Sequence, residues 1–230
     1  MTELTMTYRP VPARTTFTVK DPYSALTHFI GIIYSALLSP IIMTHAIYRE
    51  ADTLSLISTA VFMISMVLLY TASTLYHTIE ISDHCTRILK KIDHCMIFVL
   101  IAGSYTPVCL IALRSGIGPR LLLFVWAFAL LGILFKLCWV TCPKWVSSVI
   151  YISLGWSCLV AFPSLLKLIS PAAFFWLLFG GIVYTAGGVI YALKLKAFNA
   201  KTPDFGSHEL FHVFVMIGNL AQFVCIWMML

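Results

Sequence analysis

The chain has 230 residues, of which 60% are apolar and 10% charged, with a mean hydropathy of +0.95. A soluble domain carries about 25% charged residues to face water, so a soluble fold is excluded and most of the chain belongs in lipid. The net charge of +6 would suggest nucleic acid as a partner of a soluble protein. Here the basic residues sit at the ends of apolar runs, where they set topology and meet anionic lipid, and no nucleic-acid partner is expected.

In chain order, residues 1–24 read as a cytoplasmic tail, irregular because of Pro10, Pro12 and Pro22. Seven apolar stretches of about 20 residues follow, each long enough to span a bilayer as a helix. They cover 25–46, 53–76, 93–113, 120–141, 145–166, 171–193 and 208–230. The first is too long for a cleaved signal peptide and reads as a retained signal anchor. None alternates with period two, which excludes a β-barrel. The expected fold is therefore an all-α membrane protein, a seven-transmembrane helix bundle occupying residues 25–230 as one domain. Pro107 is expected to kink the third span, and Pro40 and Pro163 lie in or near the ends of theirs. Gly180, Gly181, Gly187 and Gly188 give the sixth span a small face for close helix packing.

Charge sets the orientation. With the N-terminus cytoplasmic, the inner segments hold eleven basic residues: Arg9, Arg14, Lys20, Arg87, Lys90, Lys91, Lys136, Lys144, Lys194, Lys196 and Lys201. The outer side keeps four, Arg49, Arg114, Arg120 and Lys167. The N-terminus is thus cytoplasmic and the C-terminus outside. The seven cysteines are odd in number and largely on the reducing side, so no disulfide framework is expected. Cys138 and Cys142 read as small helix residues in preference to a soft-metal pair.

The chemistry concentrates at one end. His208 and His212 are spaced i, i+4, which puts both imidazoles on one helix face, one turn apart. His77 closes the second span and Asp93 opens the third, and the topology brings both to the cytoplasmic side with the start of the seventh. Three neutral imidazoles with an open fourth position form the ligand set of a catalytic zinc site. Asp93 can orient a ligand or a water, and Ser73, one turn before His77, can add a hydrogen bond. His208-Glu209-Leu210-Phe211-His212 also fits the H-E-x-x-H pattern of metalloproteases. A neighbour of His208 points about 100° away around the helix, so Glu209 reads instead as an acidic residue in the first helical turn. His94 and Cys95 read as packing residues. His28 shares this end and is not expected to be a ligand.

Taken in order, Ser73-Thr-Leu-Tyr-His77, Asp93-His94-Cys95, Gly103-Ser104-Tyr105-Thr106-Pro107 and Ser207-His208-Glu209-Leu210-Phe211-His212 resemble the haemolysin III family. Pro22-x-Ser24-x-x-Thr27-His28-x-x-Gly31 looks like the opening motif of that family, the bacterial branch of the adiponectin and progestin receptor superfamily. The resemblance implies a bacterial inner-membrane protein with seven helices, N-terminus in. It implies zinc held by His77, His208 and His212, with Asp93 and Ser73 beside it. Glu209 is outside the family motif. Some receptor relatives and alkaline ceramidases hydrolyse lipid amides, while bacterial members are named for haemolytic activity and linked to membrane energetics or lipid homeostasis.

Two functions remain open at this level. One is a zinc hydrolase of a ceramide-like lipid amide or ester entering from the inner leaflet, with Asp93 as the base and Ser73 assisting the oxyanion. The other is a non-enzymatic pore-forming, sensing or membrane-homeostasis protein in which zinc staples helices and Asp93 is a fourth ligand. A transporter fits least: the interior offers no row of ionisable groups and no paired broken helices.

Overall fold

The computed structural model describes residues 18–193, 195–202 and 205–230, in which all regular structure is helical. The readings made for the tail before residue 18, including Arg9 and Arg14, and for Lys194 lie outside the described residues. Among the described residues, seven helical segments are long and apolar enough to cross a bilayer. Helix α1 is Pro22–Tyr48, α2 Thr53–Thr78, α3 Asp83–Pro107, α4 Gly118–Cys138, α5 Lys144–Gly155, α6 Phe162–Leu168, α7 Pro171–Leu193, α8 Lys196–Lys201 and α9 Ser207–Met229.

Local chemistry accounts for the boundaries. Pro22 sits in the first turn of α1, where its missing N–H costs nothing. Asp52 accepts from the Ser55 amide at 2.9 Å to cap α2, and Ser82 accepts from Cys85 at 3.2 Å to cap α3. Arg114 grips the Asp52 carboxylate, with Nη2 2.8 Å from Oδ1, and this hydrogen bonding holds the carboxyl well below its usual range.

Two spans differ from the sequence reading. The third begins at Asp83, not at 93, because the capped helix runs through the basic turns of Arg87, Lys90 and Lys91 before it becomes apolar. Asp93 therefore lies about 15 Å inside the helix, and its side chain is buried. The same span changes character at Pro107: without an N–H the ladder shifts to a π-type turn over Val108–Ala112. The fifth span is broken. A 3₁₀ segment, Trp156–Ala161, separates α5 from α6, and Pro163 opens the new helix in its first turn. Lys136 is a third departure. It does not meet lipid headgroups; it is 1% exposed, with Nζ 2.6 Å from Ser147 Oγ and 3.1 Å from Cys142 Sγ. All seven cysteines are free.

The bundle has two apolar cores. One joins α3, α4 and the broken fifth span around Phe98, Val125, Ala129, Ala161 and Leu165. The other joins α1, α2, α3 and α9 around Ile42, Phe62, Met66, Leu100 and Ile226. The glycines of α7 split between neighbours: a Cβ on Gly180 would meet Gln222 of α9 at 2.7 Å, and one on Gly188 would meet Ile152 of α5 at 3.1 Å. Leu123, Leu37 and Val160 are more than three-fifths exposed, as residues solvated by acyl chains are. Across the middle, Tyr34, Tyr70, Asn219 and Tyr184 form a buried hydrogen-bonded chain that ties α1, α2, α9 and α7 together. Satisfied polar groups of this kind fix helix register in lipid, where a free one has no water to turn to.

Candidate metal centre

The start of α1, the end of α2 and the start of α9 converge at one end of the bundle. The segment before α1 lies against the end of α2, with the Asp21 amide 2.8 Å from the His77 carbonyl and Lys20 Nζ 2.8 Å from the Tyr76 carbonyl. Helix α9 starts where Asn199 of α8 accepts from the Ser207 amide at 2.8 Å. Glu209 accepts from the Gly206 amide at 2.8 Å and also from the Ser24 hydroxyl. One carboxylate oxygen of Glu209 thus caps the start of α9 and the other ties it to α1, the first-turn role expected of it and not that of a base.

This convergence gathers His77, His208 and His212, whose candidate ligand atoms all lie within 4.8 Å of one another. His77 and His212 are buried and His208 nearly so. Their tautomers follow from their partners. His77 Nδ1 lies 2.9 Å from Asp21 Oδ2, so Nδ1–H donates to the carboxylate and Nε2 keeps a lone pair. Thr27 donates its hydroxyl to the Ser24 carbonyl at 2.8 Å. Its oxygen therefore accepts from His212 Nδ1–H at 3.0 Å, which again leaves Nε2 open. The Nε2 atoms of His77 and His208 are 3.2 Å apart. Ligands about 2.0–2.1 Å from a tetrahedral zinc stand roughly 3.3–3.4 Å from each other. The donor set, its spacing and its carboxylate-backed imidazole therefore fit zinc.

The remaining residues sort around this triad. Asp93 is not part of the ligand cluster; its Oδ2 is 3.5 Å from His94 Nδ1. Ser73 neighbours the Asp93 carboxyl, but its buried hydroxyl has no partner within hydrogen-bond distance. His94 points Nδ1 at the Lys90 carbonyl, 2.8 Å away, and so is occupied within its own helix. His28 stacks on His212 with ring centroids 3.7 Å apart and planes 14° from parallel. Asp21 and Thr27 are the functional residues that sequence reasoning missed. Their signal was faint: Asp21 immediately precedes the first span, and Thr27 stands inside the opening motif.

Asp93, Ser73, His208 and His212 also share the wall of one cavity of about 160 Å³. It continues between α3, α5, α7 and α9 down to Val108, Leu177 and Gln222. From His208 to Gln222 along α9 that is a depth of about 21 Å, and the deeper wall is mostly apolar.

A family profile described as Haemolysin-III related matches residues 17–223. The chain belongs to the haemolysin-III-related family. A hemolysin-3 homolog of Bacillus subtilis is 38% identical over 213 residues, covering 91% of this chain and 94% of that protein. Hemolysin-3 of Bacillus cereus is 34% identical, covering 92% of each. An adiponectin receptor protein of Drosophila melanogaster is 24% identical over 196 residues, 76% of this chain and 43% of the receptor. The haemolysin-III-related profile includes every helix end that builds the histidine cluster.

Proposed function

We propose that this multi-pass membrane protein is a zinc-dependent hydrolase of a lipid amide, with the metal held by His77, His208 and His212. In this reading the N-terminus is cytoplasmic, in a bacterial inner membrane, and the substrate enters from the inner leaflet. The observation that carries the proposal is the cavity: an apolar channel deep enough for an acyl chain that ends at Asp93, Ser73 and two of the three imidazoles. A site that only stapled helices would need no such channel. Nor would it leave Asp93, the carboxylate on the cavity wall, outside the ligand cluster.

When bound, zinc supplies Lewis acidity, polarising a carbonyl and acidifying a water. Asp93 takes a proton from the attacking water and returns it to the leaving amine. The Ser73 hydroxyl donates to the carbonyl oxygen as its charge develops. Asp21 and Thr27 hold His77 and His212 in the tautomers that expose Nε2. The apolar wall aligns the acyl chain and keeps bulk water out.

Asp93→Asn tests the reading. The amide keeps the size of the carboxylate but takes up no proton at neutral pH. The variant should retain zinc and lose hydrolysis of ceramide-like substrates by about 10²-fold or more. Loss of zinc instead would make Asp93 a ligand. Full zinc with no hydrolysis in the parent would overturn the enzyme reading and leave a structural metal.

A further inference from the structure

The buried polar atoms without a protein partner are not scattered through the bundle. Among the described residues they belong to His28, Thr59, Ser73, Thr74, Ser148 and His208. Four of these, His28, Ser73, Ser148 and His208, line the cavity described above. A buried polar atom left unpaired costs about 1–3 kcal/mol, and native proteins leave few of them. Their concentration around one cavity, from four helices, means that the cavity is built around an occupant with polar atoms of its own.

His28 is the most informative of the four. It is 3% exposed and both of its ring nitrogens lack a partner. Its orientation is fixed on two sides, by the stack on His212 and by the Tyr70 ring meeting it at 5.1 Å and 64°. Neither neighbour offers it a hydrogen bond: His212 Nδ1 is held by Thr27, and the Tyr70 hydroxyl is engaged with Tyr34 and Asn219. The ring is thus aimed and held but not satisfied. An imidazole offers one N–H donor and one acceptor nitrogen, and Ser73 and Ser148 each offer a hydroxyl that does both. Among the described residues no lysine or arginine lines the cavity to pair with an anionic head, and the carboxylate on its wall is that of Asp93.

We propose that His28 is the residue that reads the polar head of the occupant, donating to a carbonyl or hydroxyl oxygen, and that this head is uncharged. The proposal rests on the cavity being a lipid site, as argued for the hydrolase, and it adds a recognition residue and a charge preference to that reading. A neutral amide head satisfies the ring where a carboxylate does not: its C=O accepts and its N–H donates, while a carboxylate only accepts.

The test is competitive binding of N-palmitoylethanolamine and palmitate to the full-length protein in detergent, read by native mass spectrometry. His28→Phe keeps a flat ring against His212 and removes both nitrogens. The parent should prefer the amide. His28→Phe should weaken amide binding about tenfold, as expected for losing one or two hydrogen bonds, and change palmitate by less than about twofold. Zinc content and melting temperature should stay at parental values. If the phenylalanine variant does not fold, the same comparison is made with His28→Leu, and His28→Gln should recover part of the loss by restoring a donor and an acceptor. Unchanged amide binding in the variant would mean that water, not a lipid head, fills the space beside His28, and would overturn the assignment. Equal losses for both lipids would reduce His28 to a packing residue. A parent that prefers palmitate would refute the neutral head, and a parent that binds neither lipid would remove the lipid site itself.

Discussion

Removing the Asp21 carboxylate tests how the centre is held. Asp21 makes no side-chain cap to α1, and its backbone bond to the His77 carbonyl does not need the side chain. Asp21→Ala therefore subtracts the 2.9 Å bond to His77 Nδ1 and a looser 3.5 Å contact with Lys20 Nζ, whose side chain keeps its bond to the Tyr76 carbonyl. A hydrogen bond to a charged group contributes about 1.5–3 kcal/mol. The Asp21 side chain is 43% exposed, so solvent screening brings its worth to about 1–1.5 kcal/mol, or roughly 5- to 15-fold in affinity. Outer partners of metal-bound imidazoles generally act at about that scale. Zinc affinity, measured by competition with a fluorescent chelator, should fall about tenfold while the melting temperature of the metal-free protein stays constant. Thr27→Val removes a neutral partner of His212 and should cost less, about two- to tenfold. An unchanged affinity in Asp21→Ala, or an equal loss of stability in the metal-free protein, would refute the orienting role.

Two further outcomes follow from the same geometry. His212→Ala should lower thermal stability in detergent more than His94→Ala and should abolish the effect of chelator, because the His94 side chain bonds only within its own helix; equal losses would contradict the ligand assignment. Gly132→Ala should destabilise the α3–α4 contact by about 1–3 kcal/mol, since its Cβ would run into the Phe98 ring, whereas Gly155→Ala, with nothing within 4 Å, should not. Thermal unfolding of both variants, side by side, checks this.

The seven spans were legible because about 20 apolar residues are what a bilayer demands, and that demand is written residue by residue. The start of α3 was not, because Arg87, Lys90 and Lys91 lower the local hydropathy without weakening a helix that Ser82 caps. The break between α5 and α6 was hidden for the opposite reason: Trp156–Ala161 is apolar throughout, and hydropathy does not distinguish 3₁₀ from α geometry. The spacing of His208 and His212 announced a shared face, and topology brought His77 to the same depth. What stayed unread were contacts across 56 and 185 positions of sequence, Asp21 to His77 and Thr27 to His212, which no local pattern encodes. Lys136 shows the limit of counting charges: it belongs to the basic end yet is folded away against Ser147 and Cys142.

The central claim is that three imidazoles from α2 and α9 hold one zinc. Elemental analysis of the purified protein, beside His77→Ala and His208→Ala prepared in the same way, tests it most directly. The account predicts about one zinc per parental chain and a large loss in each variant. A parent without any transition metal, even after growth and purification with added zinc, would contradict it.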